Sequence, residues 1–146
     1  MSTAIAQIPT TVSHEARSSV TPGILTAMAD SRESIGAAAE RAVANLEEIS
    51  PEMRGCAVLD AGGAVLAATG EPDAWGKAGC ELLAAADAAT GEPASRAHVA
   101  TGDGEAFVVR EDGLAAVAVT DRFTLASLML FDLRVALREV AAPAAA

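Results

Sequence analysis

Three strand-like runs in this chain, Cys56-Ala57-Val58-Leu59, Val65-Leu66-Ala67-Ala68 and residues 114–119, are apolar at every position instead of every second one. Side chains of a strand alternate between its two faces, so runs of this kind leave neither face of their sheet fit for water. Each face needs a cover, and the rest of the chain must supply helices for both sides. The links between strand candidates are short and rich in glycine and aspartate: Asp60-Ala61-Gly62-Gly63, Gly102-Asp103-Gly104 and Glu111-Asp112-Gly113. Such links turn a chain back on itself, which predicts antiparallel neighbours over 55–59, 64–69, 95–101, 105–110 and 114–120.

Helical spacing supplies the covers. After Thr21-Pro22, a hydroxyl cap with proline in the first turn, Leu25, Met28, Ile35, Ala39, Ala42, Leu46 and Ile49 recur at steps of three and four, interrupted only by Arg32. Gly36 and Asp30-Ser31 permit a break, and Pro51 stops the run. Thr-Gly-Glu-Pro occurs at 69–72 and again at 90–93, bracketing a second helix over 73–89, with Gly91 suited to its C-terminal cap. A last helix is expected over 124–140, with Leu125, Leu128, Met129, Leu133, Ala136, Leu137 and Val140 toward a core and Asp132, Arg134, Arg138 and Glu139 toward solvent. The predicted order is α-β-β-α-β-β-β-α. It folds as a three-layer α/β/α domain around a five-stranded antiparallel sheet, with the middle helix on one face and the terminal helices on the other.

The length of 146 residues suits one domain, expected over 21–141 with its core at 34–140. Residues 1–20 read as a flexible tail and 142–146 as a short Ala/Pro tail. The core must be made of small side chains, because 51% of residues are hydrophobic but only 3% aromatic. A mean hydropathy of +0.32 is therefore no membrane signal. No stretch reaches the roughly 18 to 20 apolar residues of a spanning helix, and the start lacks a basic region followed by an apolar block, so a cytoplasmic protein without membrane insertion is expected. The formal net charge of -10 argues against nucleic acid and anionic lipid as partners, since both require a cationic face.

Catalytic chemistry finds little foothold. No Lys-Ser/Thr follows Gly62-Gly63 and no helix does either, so the glycines serve a hairpin and not a phosphate. Cys56 and Cys80 are the only cysteines, too few for a disulfide framework or zinc site, and are expected as buried thiols. His14 falls in the expected tail and His98 in a strand, where a structural role is expected; a pair of His98 with either cysteine has no nucleophile motif beside it. Asp87, Glu105 and the other scattered carboxylates read as solvated faces. Arg54, Arg96, Arg110 and Arg122 are expected as surface groups, and none is assigned to a partner's active site. No enzyme activity, catalytic residue, cofactor or metal is expected.

The middle helix carries a different signal. Ala78, Leu82, Ala85 and Ala89 make one stripe, while Trp75, Gly79, Leu83 and Ala86 widen the apolar arc past the ~100° that one sheet contact buries. A second neighbour is expected against this helix, with Gly79 and Ala86 admitting a close approach.

Met53 to Asp60, followed by Gly62-Gly63-Ala64-Val65-Leu66-Ala67, resembles the first hairpin of the roadblock/dynein light chain domain, a profilin-like fold. Leu125-Ala126-Ser127-Leu128 leading to Leu133-Arg134-Val135-Ala136-Leu137 resembles that family's closing helix, although Ala126 or Ser127 stands where the family often has glycine. The resemblance spans about residues 34–140. It implies a homodimer that binds or regulates a Ras-like small GTPase, or scaffolds a larger assembly, with middle helices packed together and third strands meeting edge to edge. The interface so implied takes Trp75, Gly79, Leu82, Leu83 and Ala86 from the middle helix and Arg96, His98 and Ala100 from the third strand. A small-ligand sensory domain of profilin-like fold and a purely structural light-chain-like subunit are the alternative readings.

Overall fold

The structure, a computed structural model, describes the backbone of residues 22–142 and the side chains of residues 32–142. The tail expected over 1–20 lies outside the described residues, and so do residues 143–146 of the tail expected over 142–146. Two units divide the chain, Met1–Glu33 and Ser34–Ala146. Residues 22–33 of the first are helical.

In chain order the elements are α1 (Pro22–Ile49), β1 (Met53–Leu59), β2 (Val65–Ala68), α2 (Pro72–Thr90), β3 (Arg96–Ala100), β4 (Glu105–Glu111), β5 (Leu114–Thr120) and α3 (Ala126–Ala141). This is the predicted order. The five strands form one sheet, β2-β1-β5-β4-β3, in which every pairing is antiparallel. Its centre joins β1 to β5, with Cys56 opposite Ala118 and Val58 opposite Ala116, although more than fifty residues separate these partners in sequence.

Alternation along the continuous apolar strands divides their side chains between two cores. Cys56, Val58, Phe107, Val109, Ala116 and Ala118 point to one face, where Ala39, Ala42, Val43 and Leu46 of α1 and Met129, Leu133, Leu137 and Val140 of α3 cover them. Ala57, Leu59, Val108, Ala115 and Val117 point to the other, against Trp75, Leu82 and Leu83 of α2. The three-layer arrangement inferred from two apolar strand faces is thus the one observed.

Turn chemistry follows the sequence with one refinement. Of the pair Gly62-Gly63, only Gly63 has a positive φ, 89°. The tip is held by Asp60, whose Oδ1 accepts hydrogen bonds from the backbone N–H groups of Gly62 and Ala64, each at 2.9 Å. Between β4 and β5, Asp112 and Gly113 both take positive φ, as a two-residue hairpin of type I′ requires. Gly91, φ 77°, caps α2 by donating its N–H to the Asp87 carbonyl. Gly36 is helical, so the break it permits does not occur there.

Two helix faces differ from expectation. Ile49, placed in the core stripe of α1, is 59% exposed at the helix end, where the chain turns away through Ser50. Leu125 and Leu128, expected inside, are 65% and 51% exposed. Met129, Leu133, Ala136, Leu137 and Val140 already fill the inward arc of α3, and at about 100° per residue Leu128 falls well outside it.

Candidate interaction site

β3 is the last strand of the sheet and pairs only with β4 among the described residues. Its Arg96, His98, Val99 and Ala100 are exposed, while Ala97 packs into the α2-side core. Five consecutive residues of edge strand therefore present backbone to a side that no other strand occupies among the described residues, an arrangement that pairs readily with another strand.

His98 is fixed at this edge. Its ring stacks on Phe107, which lies directly opposite on β4, with centroids 4.4 Å apart and planes 4° from parallel. Nε2 lies 2.5 Å from Glu105 Oε1, and the other oxygen of that carboxylate accepts the Thr124 N–H at 2.9 Å. The hydrogen bond from His98 holds the Glu105 carboxyl below its ordinary range; burial pushes the other way, and the Thr124 N–H assists His98. Glu105 is only 7% exposed, so its reading as a solvated carboxylate is corrected. Its position between an edge strand and the approach to α3 ties those two elements together. A carboxylate following a Gly-Asp-Gly turn gives no hint of this in sequence.

On α2 the phase of the helix decides which apolar residues remain outside. Gly79 is buried, and a Cβ there would lie 3.2 Å from Leu59 Cδ2 and 3.5 Å from Val117 Cγ2. Trp75 lies over Gly55, where an added Cβ would approach Cζ2 to 2.8 Å, and donates its Nε1–H to the Thr69 carbonyl at 2.6 Å. Leu82 and Leu83 also pack on the chain's own sheet, and Ala86 is half-buried. The outward face consists instead of Ala74, Ala78, Ala85, Ala88 and Ala89, with Lys77 and Glu81. Small apolar side chains do remain on that surface, and Ala78, Ala85 and Ala89 among them come from the first stripe of the helical pattern, not from the residues that widen it.

Groups weighed for catalysis are placed apart. Cys56 is buried, and burial first and Glu47 second push its thiol up to about 12. It lies on β1, three strands from His98, a separation of roughly 14 Å. Cys80 is exposed, contrary to expectation, because its position on α2 faces the rim of the first hairpin, with Sγ 3.9 Å from the Gly63 carbonyl oxygen. Neither cysteine is drawn to the histidine.

Of the four arginines weighed in the sequence, Arg54, Arg110 and Arg122 make contacts within the chain. Arg110 bonds both oxygens of Asp87, at 2.9 and 3.1 Å, and this contact with the Ala94 N–H holds the Asp87 carboxyl below its ordinary value. Asp87 is thus a structural anchor, not a free surface group. Arg54 joins Asp121 and the Asp103 carbonyl, and Arg122 lies 4.7 Å above the Phe123 ring. A cleft of about 270 Å³ between the hairpin tips and α2 includes Cys80, Asp87 and Arg110, but the last two satisfy each other.

An antiparallel five-stranded sheet between one helix and a pair of helices, with the third strand at its edge, defines a class of small α/β/α domains. No protein-family model matches the sequence, and no curated protein matches it. Solved structures do resemble it. A roadblock/LC7 domain from Streptomyces avermitilis matches with a TM-score of 0.59 at 16% identity, over 69% of this chain and 92% of that one. Myxococcus xanthus MglB matches with a TM-score of 0.56 at 13% identity, over 76% and 87%. The gliding protein mglB from Thermus thermophilus matches with a TM-score of 0.56 at 23% identity, over 73% and 90%. The chain has the roadblock/LC7 fold.

Proposed function

We propose that this chain is a non-catalytic, homodimeric regulator or scaffold that binds a Ras-like small GTPase through a roadblock-type platform built on residues 34–140. The observation that carries this reading is the open edge of β3, with Arg96, His98, Val99 and Ala100 exposed, on a fold shared with MglB proteins. Edge-to-edge pairing of two β3 strands continues the sheet across the dimer and removes the exposed edge. The alanine face of α2 then meets its copy, since side chains of that size let two helices approach closely. Arg96, His98 and Ala100 remain in the proposed interface. Trp75, Gly79, Leu82 and Leu83 contribute by fixing α2 on its sheet, and Ala78 and Ala85 make the contact.

The chain carries no nucleotide motif of its own, so any influence on GTP hydrolysis is exerted on the partner, by ordering its switch segments. Light scattering of the purified protein at micromolar concentration is expected to give twice the chain mass. Ras-like GTPases of the source organism, loaded in turn with GDP and a non-hydrolysable GTP analogue, are expected to bind the dimer with a preference for one state. A monomer at high concentration overturns the platform. A dimer that binds no GTPase in either state overturns the regulatory reading and leaves a structural subunit.

A further inference from the structure

Helix α3 carries two apolar stripes, and the fold uses one. Met129, Leu133, Ala136, Leu137 and Val140 face the sheet. Leu128, Asp132, Val135 and Glu139 follow one another at steps of four, three and four, which sets them along a second side of the helix, and the extended cap residue Leu125 precedes it. Phe131, 60% exposed, and Phe123, 86% exposed, broaden the apolar surface at its start. Exposed large apolar side chains are ordinary when scattered, but these are gathered on one flank and its approach.

That flank borders a groove. Asp132, Val135, Ala136 and Glu139 line it from α3, and Ala42, Asn45, Leu46 and the 59% exposed Ile49 line it from the far end of α1, enclosing about 170 Å³. The ionisable groups of its lining are two carboxylates, with no cation. Burial first and nearby Glu52 second raise the Asp132 carboxyl above its ordinary value, and no arginine or lysine pairs with it among the described residues. The site thus combines apolar side chains with two carboxylates that form no ion pair among the described residues.

We propose that the Leu125–Leu128–Val135 flank of α3, with Phe131 and Ile49, docks an amphipathic helix of a protein partner whose apolar edge is bordered by lysine or arginine. From Leu128 to Val135 the strip is about 10 Å long, with Leu125 just before its start, which accommodates apolar residues at i, i+3 or i+4, and i+7 of a helix laid along it. Cations bordering those residues reach Asp132 and Glu139, where like charge repels an anionic bilayer and an acidic peptide. A second copy of this chain docked by the same strip would gather four carboxylates in the contact with no cation from either groove lining. The strip lies on the side of the sheet opposite α2, so the proposal is independent of the GTPase platform.

The test uses the full-length protein and three synthetic peptides, read by fluorescence anisotropy. The first is a helix-forming peptide with leucines at i, i+3 and i+7 flanked by lysines. The second carries glutamates in place of the lysines, and the third serines in place of the leucines. The first is expected to bind at least about tenfold more tightly than either control. Leu128→Ser with Phe131→Ser is expected to weaken that binding about tenfold or more, and Asp132→Asn with Glu139→Gln about three- to tenfold, with circular dichroism unchanged because Leu128, Phe131 and Glu139 are exposed and the amide at half-buried Asp132 keeps the shape of the carboxylate. Equal binding of the acidic peptide, no binding of the basic one at ~1 mM, or indifference to Leu128→Ser with Phe131→Ser overturns the proposal. A loss of self-association in that same variant also overturns it, assigning the strip to a second copy.

Discussion

Glu105 shows how much one side chain can organise at the residue scale. Its carboxylate receives His98 from the edge strand and the Thr124 N–H from the segment leading into α3. Because the folded carboxyl titrates below its ordinary value, its stabilising effect is complete above the unfolded value of about 4.3 and is lost as pH falls below that. Glu105→Gln is therefore expected to lower the melting temperature at pH 6, with the difference from the parent protein shrinking toward about pH 3. A gap that persists unchanged at low pH would assign the effect to packing alone. Beside it, Phe107 is fully buried and carries the stacked His98 ring. Phe107→Ala is expected to cost about 3–5 kcal/mol by urea denaturation. The two thiols provide a third check: iodoacetamide at pH 8 should label exposed Cys80 in the native protein and reach Cys56 only after unfolding, since burial keeps that thiol neutral.

At the scale of the element, α2 separates what hydrophobic periodicity can tell from what it cannot. An apolar arc too wide for one contact is visible in the sequence, but the helix can turn either Gly79 or Ala78 toward the sheet. The fold places Gly79 there, where an added Cβ would sit tightly against Leu59 at 3.2 Å and touch Val117 at 3.5 Å, so the helix lies close on the sheet. Gly79→Glu is accordingly expected to unfold the chain, burying an unpaired charge at a cost above about 4 kcal/mol. Ala85→Glu, on the exposed side, should retain the native circular dichroism spectrum while giving a single-chain mass by light scattering. A folded dimer of Ala85→Glu would place the interface elsewhere. The same uncertainty of phase explains α3, where Leu125 and Leu128 looked like core residues because leucine spacing alone does not say how many of them one sheet has room for.

Across the whole molecule, residues of like chemistry received opposite uses. The strands, their hairpin turns, the order of elements and the need for helices on both sides were legible in local sequence, as in the uninterrupted Cys56–Leu59 run and the Asp112-Gly113 turn. These features follow from constraints acting within a few residues: side-chain alternation, positive φ and helical spacing. Only the tertiary structure joined β1 to β5, left β3 at the margin, brought His98 to Glu105 and spent Gly79 inside while leaving Leu128 outside. Those outcomes depend on the rotation of each helix and the pairing of distant strands. Both are set by the sum of many contacts between segments far apart in the chain, and no local stretch of sequence contains that sum.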